Sequence, residues 1–122
     1  MHMDEGAAGS ETELDPSRVA ELVDAGAALV DTRRDYEWDG GRIPGARHVE
    51  MNEITAAVDS IPRDRPVIFY CRSGNRSRMI ADAFRQDGYD AHNLAGGIQG
   101  WVAAGLEIEP EGGEIREPLP AS

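Results

Sequence analysis

The sequence contains a single cysteine, Cys71, and no lysine, so that all 12 basic residues are arginines. A lone cysteine excludes an internal disulfide and a Cys-x-x-Cys metal or redox pair. No apolar run approaches the roughly 20 residues of a transmembrane helix, and the acidic N-terminus lacks the basic and then apolar segments of a signal peptide. We therefore expect a cytoplasmic protein that does not bind membranes, whose cysteine acts without a second cysteine in its own chain.

Positive charge is also scarce, since 23 acidic residues against 12 basic ones give the 122-residue chain a formal net charge of -11. This balance argues against a nucleic-acid-binding surface. Much of the excess lies at the ends: residues 1–14 carry four acidic and no basic side chains, and residues 107–122 carry five glutamates and one arginine. We expect these two segments to be flexible acidic tails around one folded domain at residues 15–106.

Helical and strand patterns alternate within this predicted domain. The spacing of apolar residues predicts helices, which begin at signals such as Asp15-Pro16 and end mostly at glycines; they span 16–25, 54–61, 77–87 and 98–104. Short apolar runs predict strands at 28–31, 46–49, 67–71 and 89–94. In the helix at 77–87 the residues predicted to be buried are Met79, Ile80, Ala83 and Phe84. In the helix at 98–104 they are Ile98, Trp101 and Val102. Alternation of this kind is typical of an α/β fold with a mainly parallel sheet and helices on both faces.

Cys71 ends the strongest predicted strand and is followed by a polar turn that leads into a helix capped by Ser77. Ligands of open α/β sheets bind beyond the carboxyl ends of the strands. A turn of this kind directs backbone N–H groups into one concavity, and the helix N-terminus adds the positive end of its dipole. We therefore expect the loop to hold an anion beside the cysteine.

The residues that follow Cys71 suit a reactive thiolate. A free thiol has a pKa of about 8.5, and a helix N-terminus together with Arg72 and Arg76 is expected to lower it. Gly74 permits a left-handed backbone, and Asn75 tolerates one better than most residues. A buried structural cysteine at the end of a strand is the simpler reading, but it gives no reason for two arginines in the turn.

Three separated motifs resemble those of single-domain rhodaneses, which are sulfurtransferases. These motifs are Leu29-Val30-Asp31-Thr32-Arg33 followed by Gly41-Arg42-Ile43-Pro44-Gly45-Ala46, then Cys71-Arg72-Ser73-Gly74-Asn75-Arg76-Ser77, and finally Leu94-Ala95-Gly96-Gly97-Ile98-Gln99-Gly100-Trp101 with Ala104-Gly105. The resemblance implies a five-stranded, mainly parallel sheet. One position departs from the pattern, since Arg42 stands where the family often has histidine; we expect a solvated surface arginine there rather than one at the rim of the site.

The resemblance also implies a chemistry. Cys71 is the expected nucleophile, and the substrate-binding residues carried over by motif are Arg72, Ser73, Gly74, Asn75, Arg76 and Ser77. The reaction implied is transfer of a sulfane sulfur from an anionic donor such as thiosulfate, through a cysteine persulfide, to cyanide or a thiol. Because no second cysteine exists, the acceptor is external and can be a protein thiol; no cofactor or metal is expected. The physiological donor and acceptor and the oligomeric state stay open.

Two alternatives are weighed beside this reading. One is a sulfur-carrier or regulatory module that transfers sulfur rapidly only to a protein partner. The other is a phosphatase or arsenate reductase, whose loops follow a Cys-x5-Arg pattern. Counting disfavours the latter, because Arg76 lies at Cys-x4-Arg, Ser77 occupies the next position, and Tyr70 stands where phosphatases have histidine.

The remaining polar and aromatic candidates are read as structural. The three histidines, His2, His48 and His92, show no metal-ligand spacing, and we expect them to be surface or packing residues. We expect Trp38 and Trp101 to be packing aromatics. Asp31 and Arg33 are expected to form a polar network at the end of their strand. Ser73 and Ser77 have no evident base to activate them, so loop hydrogen bonding is the expected role.

Overall fold

The computed structural model describes residues 11–117. Its strands are β1 (Glu13–Leu14), β2 (Ala28–Asp31), β3 (Arg47–His48), β4 (Val67–Tyr70) and β5 (Ala91–Leu94). Its helices are α1 (Pro16–Asp24), α2 (Asp35–Gly40), α3 (Ile54–Ala57), α4 (Asn75–Gln86) and α5 (Gly97–Ala103). Single 3-10 turns, Met51–Glu53 and Val58–Ser60, flank α3.

The five strands form one sheet in the order β1-β5-β4-β2-β3, and every neighbouring pair is parallel. Successive strand residues face opposite sides of a sheet, so each of the two cores takes alternate residues of β4. Val67 and Phe69 pack with residues of α3 and α4, whereas Ile68 and Tyr70 pack with residues of α1 and α5. The predicted α/β class, the parallel sheet and the placement of helices on both faces are confirmed.

The first helix follows its sequence signals. The Asp15 carboxylate accepts a hydrogen bond of 2.8 Å from the backbone N–H of Arg18, and Pro16 occupies the first turn, where its missing N–H costs nothing. Val19 is fully buried in the core on this face of the sheet. The predicted start of α1 is therefore confirmed.

Helix α4 differs from its prediction at both its start and its buried face. It begins at Asn75 rather than after a Ser77 cap, because Gly74, with φ of +94°, turns the chain into the helix earlier. Its buried residues are Ser77, Ile80, Ala81 and Phe84, so Met79, which is 67% exposed, and Ala83 were wrongly assigned to the buried stripe. In α5, Val102 is likewise exposed rather than inward.

Several shorter elements also differ from the predictions. Helix α2 was not predicted, because its six residues, DYEWDG, lack an apolar repeat. The predicted helix at 54–61 is a four-residue α-helix between two 3-10 turns, and β3 and β5 are shorter than predicted. These differences lie at element ends and in short segments, where local pattern carries least information.

The folded part of the chain is wider than the predicted boundaries of 15 and 106. Leu14 lies in β1, and the Asn93 N–H donates to the Thr12 carbonyl at 2.7 Å. Ile108 and Ile115 pack against the core on the α1 and α5 side, and an antiparallel bridge joins Arg42 to Glu109. The tail predictions for 1–10 and 118–122 fall outside the described residues.

Within residues 11–117 the model has no helix with the length and apolar character needed to cross a membrane.

Candidate active site

Cys71 directly follows β4 at the carboxyl edge of the sheet and is buried. β4 pairs with β2 on one side and β5 on the other, so the loops that follow these three strands meet around the sulfur. The sequence prediction that Cys71 opens a turn between a core strand and a helix N-terminus is confirmed.

Backbone and side-chain donors of the loop face the sulfur. The Gly74 N–H donates to Cys71 Sγ at 3.2 Å, and the Ser77 hydroxyl lies 3.4 Å from it. Burial by itself would raise the pKa of the Cys71 thiol, but the Ser77 hydroxyl and the backbone N–H groups of Ser77, Gly74 and Arg76 outweigh it, so the pKa is lowered. The loop therefore favours the thiolate, which is the nucleophilic form.

Asn93 on β5 fixes the position of this loop through side-chain hydrogen bonds, a role that the sequence analysis missed. Its Oδ1 accepts from the Ser77 hydroxyl at 2.5 Å, while its Nδ2 donates to the Gly74 carbonyl at 3.0 Å and to the Glu13 carboxylate at 3.0 and 3.1 Å. Because a hydroxyl has one proton, Asn93 Oδ1 and Cys71 Sγ compete for that of Ser77. The backbone N–H groups face no such competition, and we regard them as the main stabilisers of the thiolate.

The first turn of α5 lies directly against the loop backbone. The Ile98 N–H donates to the Cys71 carbonyl at 3.0 Å, and the Gln99 N–H donates to the Arg72 carbonyl at 3.1 Å. Gly97, with φ of +61°, makes this approach possible, because a Cβ there would lie 2.5 Å from the Cys71 carbonyl oxygen and closer still to that of Arg72. The second glycine of the Gly96-Gly97 motif is thus part of the support of the cysteine.

A cavity of about 210 Å³ opens in front of Cys71. Of the residues predicted to bind substrate, only Arg76 lines it together with the cysteine; Arg72, Ser73, Gly74, Asn75 and Ser77 do not. Arg72 instead places its guanidinium against the side-chain amide of Gln99 on α5, whose oxygen accepts from it at 3.2 and 3.3 Å once the amide is turned to satisfy both groups. The opposite wall comes from the loop after β2 and from the segment after β3, and includes Arg34 and Glu50, neither of which the sequence analysis singled out.

Asp31 and Arg33 form the polar network expected at the end of β2. Arg33 Nη2 lies 2.7 Å from Asp31 Oδ2, and both side chains are fully buried. Arg33 Nη2 also donates to the Gly41 carbonyl at 2.7 Å. Burial would lower the pKa of Arg33, but the hydrogen bond and the charge of Asp31 offset this and leave the pKa raised. The pair therefore fixes the loop that carries Arg34.

The histidines have structural partners, and His2 lies outside the described residues. His48 Nε2 donates to the Arg33 carbonyl at 2.6 Å, and its ring stacks on Trp38 at 4.7 Å. His48 also has Asp35 and Glu50 nearby, with one ligand atom of each of the three within 4.8 Å of the others, a grouping that sequence spacing did not reveal. His92 is fully buried between the Asp90 carboxylate and the Glu11 carbonyl.

Arg42 and Trp101 are also engaged within the fold. Arg42 donates to the Trp38 carbonyl at 3.0 Å and stacks over the Trp38 ring, and its Nε lies 3.8 Å from Glu109. Arg42 does not line the cavity, as expected, but it is half-buried rather than fully solvated because the C-terminal segment lies over it. Trp101 is a buried packing residue, as predicted, and its indole N–H donates to the Glu107 carbonyl at 2.8 Å.

The family model of the rhodanese-like domain matches residues 15–104. The chain belongs to the rhodanese-like family. It is 44% identical over 86 residues to a sulfurtransferase of Allochromatium vinosum, covering 69% of this chain and 80% of the relative. It is 34% identical over 100 residues to a thiosulfate sulfurtransferase of Actinobacillus succinogenes, covering 80% of this chain and 90% of that one.

The fold of this rhodanese-like chain is also found in solved structures. A rhodanese-related protein from Thermoplasma volcanium superposes with a TM-score of 0.74 at 24% identity, covering 80% of this chain and 96% of the other. The expected resemblance to single-domain rhodaneses is thus confirmed, and the relatives place the chain in a family of sulfurtransferases.

Proposed function

We propose that this protein transfers a sulfane sulfur from an anionic donor such as thiosulfate to an external thiol or cyanide, through a persulfide on Cys71. The observation that carries the proposal is the set of three backbone N–H groups and one hydroxyl that surround the sulfur and lower the pKa of its thiol. The same donors suit the charge that passes through the loop during transfer. The thiosulfate sulfurtransferase of Actinobacillus succinogenes supports this choice of donor.

The proposed reaction has two balanced steps. The Cys71 thiolate attacks the outer sulfur of thiosulfate, a new S–S bond forms, and the original S–S bond breaks as sulfite leaves with its electron pair. An acceptor thiolate then attacks the outer sulfur of the Cys71 persulfide, the S–S bond to Cys71 breaks, and Cys71 returns to the thiolate while the acceptor leaves as a persulfide. When cyanide is the acceptor, it attacks the same sulfur and leaves as thiocyanate. With one cysteine in the chain, the acceptor comes from outside it.

The loop favours sulfur over phosphorus chemistry. The Gly74 N–H donates to Sγ itself, and the N–H groups of Arg76 and Ser77 also lower the pKa of the thiol. The Cys-x4-Arg spacing leaves Ser77, with its hydroxyl on Asn93, at the position that a Cys-x5-Arg loop gives to arginine. A cytoplasmic location and a protein thiol as acceptor remain predictions from the sequence.

The test is mass spectrometry of the intact protein after thiosulfate treatment. The wild type is expected to gain the mass of one sulfur atom and to lose it to cyanide, whereas Cys71→Ser should gain nothing. An unmodified wild type would refute the proposal, as would hydrolysis of an aryl phosphate that is abolished in Cys71→Ser. Slow release to small thiols with rapid release to one protein thiol would favour the carrier alternative.

A further inference from the structure

We propose that Arg34 is a donor-binding residue that holds the sulfonate end of the sulfur donor together with Arg76, and that Arg72 has no part in this. The inference rests on the proposed function, which it extends by assigning the second cation of the site.

Nine of the twelve arginines have a protein partner. Carboxylates lie within ion-pair distance of Arg18, Arg33, Arg42, Arg63, Arg78 and Arg116. Side-chain hydrogen bonds to neutral groups hold Arg47 and Arg85, and the guanidinium of Arg72 lies against the side-chain amide of Gln99. Within residues 11–117, only Arg34, Arg65 and Arg76 have side chains without a hydrogen bond, an ion pair or a ring contact. Two of these three line the cavity that contains Cys71.

The two free guanidiniums come from different elements that the sheet brings together. Arg34 follows β2 and precedes α2, and Arg76 is the second residue of α4. β2 and β4 are neighbouring parallel strands, with Asp31 paired to Tyr70, so both loops leave the same edge of the sheet on either side of Cys71. An anion in the cavity therefore has a cation available from each wall.

The two carboxylates of the cavity each accept a backbone N–H through one oxygen and form no ion pair with Arg34 or Arg76, while Glu37 Oε2 has no hydrogen-bond partner in the described chain. Glu37 Oε1 accepts from the Arg34 backbone N–H at 3.2 Å, and Glu50 Oε2 accepts from the Asp35 N–H at 3.0 Å. Both glutamates thus satisfy the N-terminus of α2 and fix the backbone of Arg34, while its exposed side chain has no partner in the described chain. The fold holds the base of this side chain in place and leaves its charged end free.

The chemistry of the donor fits this arrangement. Thiosulfate reacts at its outer sulfur, so its three sulfonate oxygens point away from Cys71 Sγ and toward the mouth of the cavity. A guanidinium presents paired N–H donors that match two oxygens of one oxyanion. Arg72 cannot serve in the described conformation, because its guanidinium faces Gln99 and does not line the cavity.

Steady-state kinetics of Arg34→Gln and Arg76→Gln test the assignment, with Arg65→Gln as the matched control. Arg65 is also exposed and unpartnered in the described chain, but it precedes β4 at the opposite edge of the sheet. We expect the KM for thiosulfate to rise about tenfold or more in the two cavity variants, as for loss of a charge-assisted contact, and to change less than about twofold in the control. Arg34→Lys should recover part of the loss, and Arg72→Gln should raise the KM less than Arg34→Gln.

A second measurement follows binding without turnover. Inorganic sulfate is used to protect Cys71 from alkylation by iodoacetamide, and each variant's own rate without sulfate serves as its reference. Sulfate should protect the wild type and Arg65→Gln but not Arg34→Gln. Protection retained in Arg34→Gln, or a thiosulfate KM equal to that of the control, would overturn the assignment.

The two proposals fail in different ways. A wild type that takes no sulfur from thiosulfate contradicts the proposed function, whereas sulfate protection still tests the role of Arg34. Normal sulfur loading with full protection in Arg34→Gln contradicts only the inference drawn from the arginines.

Discussion

Gly97→Ala is the most informative single substitution that the structure suggests. Gly97 begins α5 with φ of +61°, and a Cβ there would lie 2.5 Å from the Cys71 carbonyl oxygen and closer still to the Arg72 carbonyl oxygen. Real Cβ atoms essentially never approach other atoms within 3.0 Å, so the alanine side chain has to displace one of the two backbones. The backbone that carries Cys71 is part of that contact, so the substitution acts on stability and on the site together.

The cost has two parts. A left-handed backbone costs alanine about 1–2 kcal/mol. Restoring ordinary contact requires a movement of roughly 1 Å against packed backbone, and overpacking of this kind costs about 1–3 kcal/mol. We therefore expect the free energy of unfolding to fall by about 2–5 kcal/mol, which lowers the Tm of a domain of this size by about 10 °C or more.

Gly105→Ala is the matched control, because Gly105 follows the same helix with φ of +84° and a Cβ there would have nothing within 4 Å. Gly105→Ala carries only the cost of placing alanine in a left-handed backbone. The difference between the two variants in free energy of unfolding, from urea denaturation, therefore measures the cost of the close approach at Gly97. The pH dependence of Cys71 alkylation gives the second readout, in which Gly97→Ala should raise the thiol pKa and Gly105→Ala should not. Equal stability losses and equal thiol pKa values in the two variants would refute the reasoning from close approach.

Two further predictions concern the loop and the strand end. The alkylation rate of Cys71 should rise with pH, with a midpoint below the roughly 8.5 of a free thiol, because the loop lowers the pKa of the thiol. Ser77→Ala should shift that midpoint upward, because it removes the hydroxyl beside the sulfur. An unchanged midpoint in Ser77→Ala would mean that the backbone donors alone lower the pKa. Asp31→Asn should lower the free energy of unfolding by about 3–5 kcal/mol in chemical denaturation, because it leaves the buried Arg33 guanidinium without its counter-ion. Glu21→Gln in an exposed pair is its control, expected to cost less than about 1 kcal/mol; equal effects would contradict the role of burial.

The part of the site that sequence could predict is the part that is continuous in the chain. Val67 to Tyr70 is an apolar run long enough for a strand covered on both faces, and the polar turn after Cys71 precedes a helical pattern. These local signals place the cysteine at the carboxyl edge of the sheet and its loop at a helix N-terminus. The same local signals misplaced the start of α4, because the left-handed Gly74, rather than Ser77, precedes its first residue, Asn75.

The residues that sequence missed reach the site through tertiary contacts. Asn93 lies in a predicted strand, but nothing near it in the sequence indicates that its amide holds Gly74 and Ser77. Arg34 is set apart from most other arginines by the lack of a partner and by its place in the cavity wall, and both properties depend on where other side chains lie. Helix α2, which sets the position of Arg34, has only six residues and is fixed by Glu37 and Glu50 rather than by an apolar face.

The pairing of arginines also explains how a chain with a net charge of -11 can bind an anion. The negative charge is not spread evenly over the molecule. Six arginines form ion pairs with carboxylates, and others donate hydrogen bonds to neutral groups. Charges beyond about 8–10 Å are screened at ordinary ionic strength, so the balance within the cavity matters more than the total. There the carboxylates of Glu37 and Glu50 are engaged with backbone N–H groups, while Arg34 and Arg76 have no protein partner in the described chain. The cavity thus presents two arginines without a protein partner in the described chain to an entering donor, although the chain as a whole is acidic.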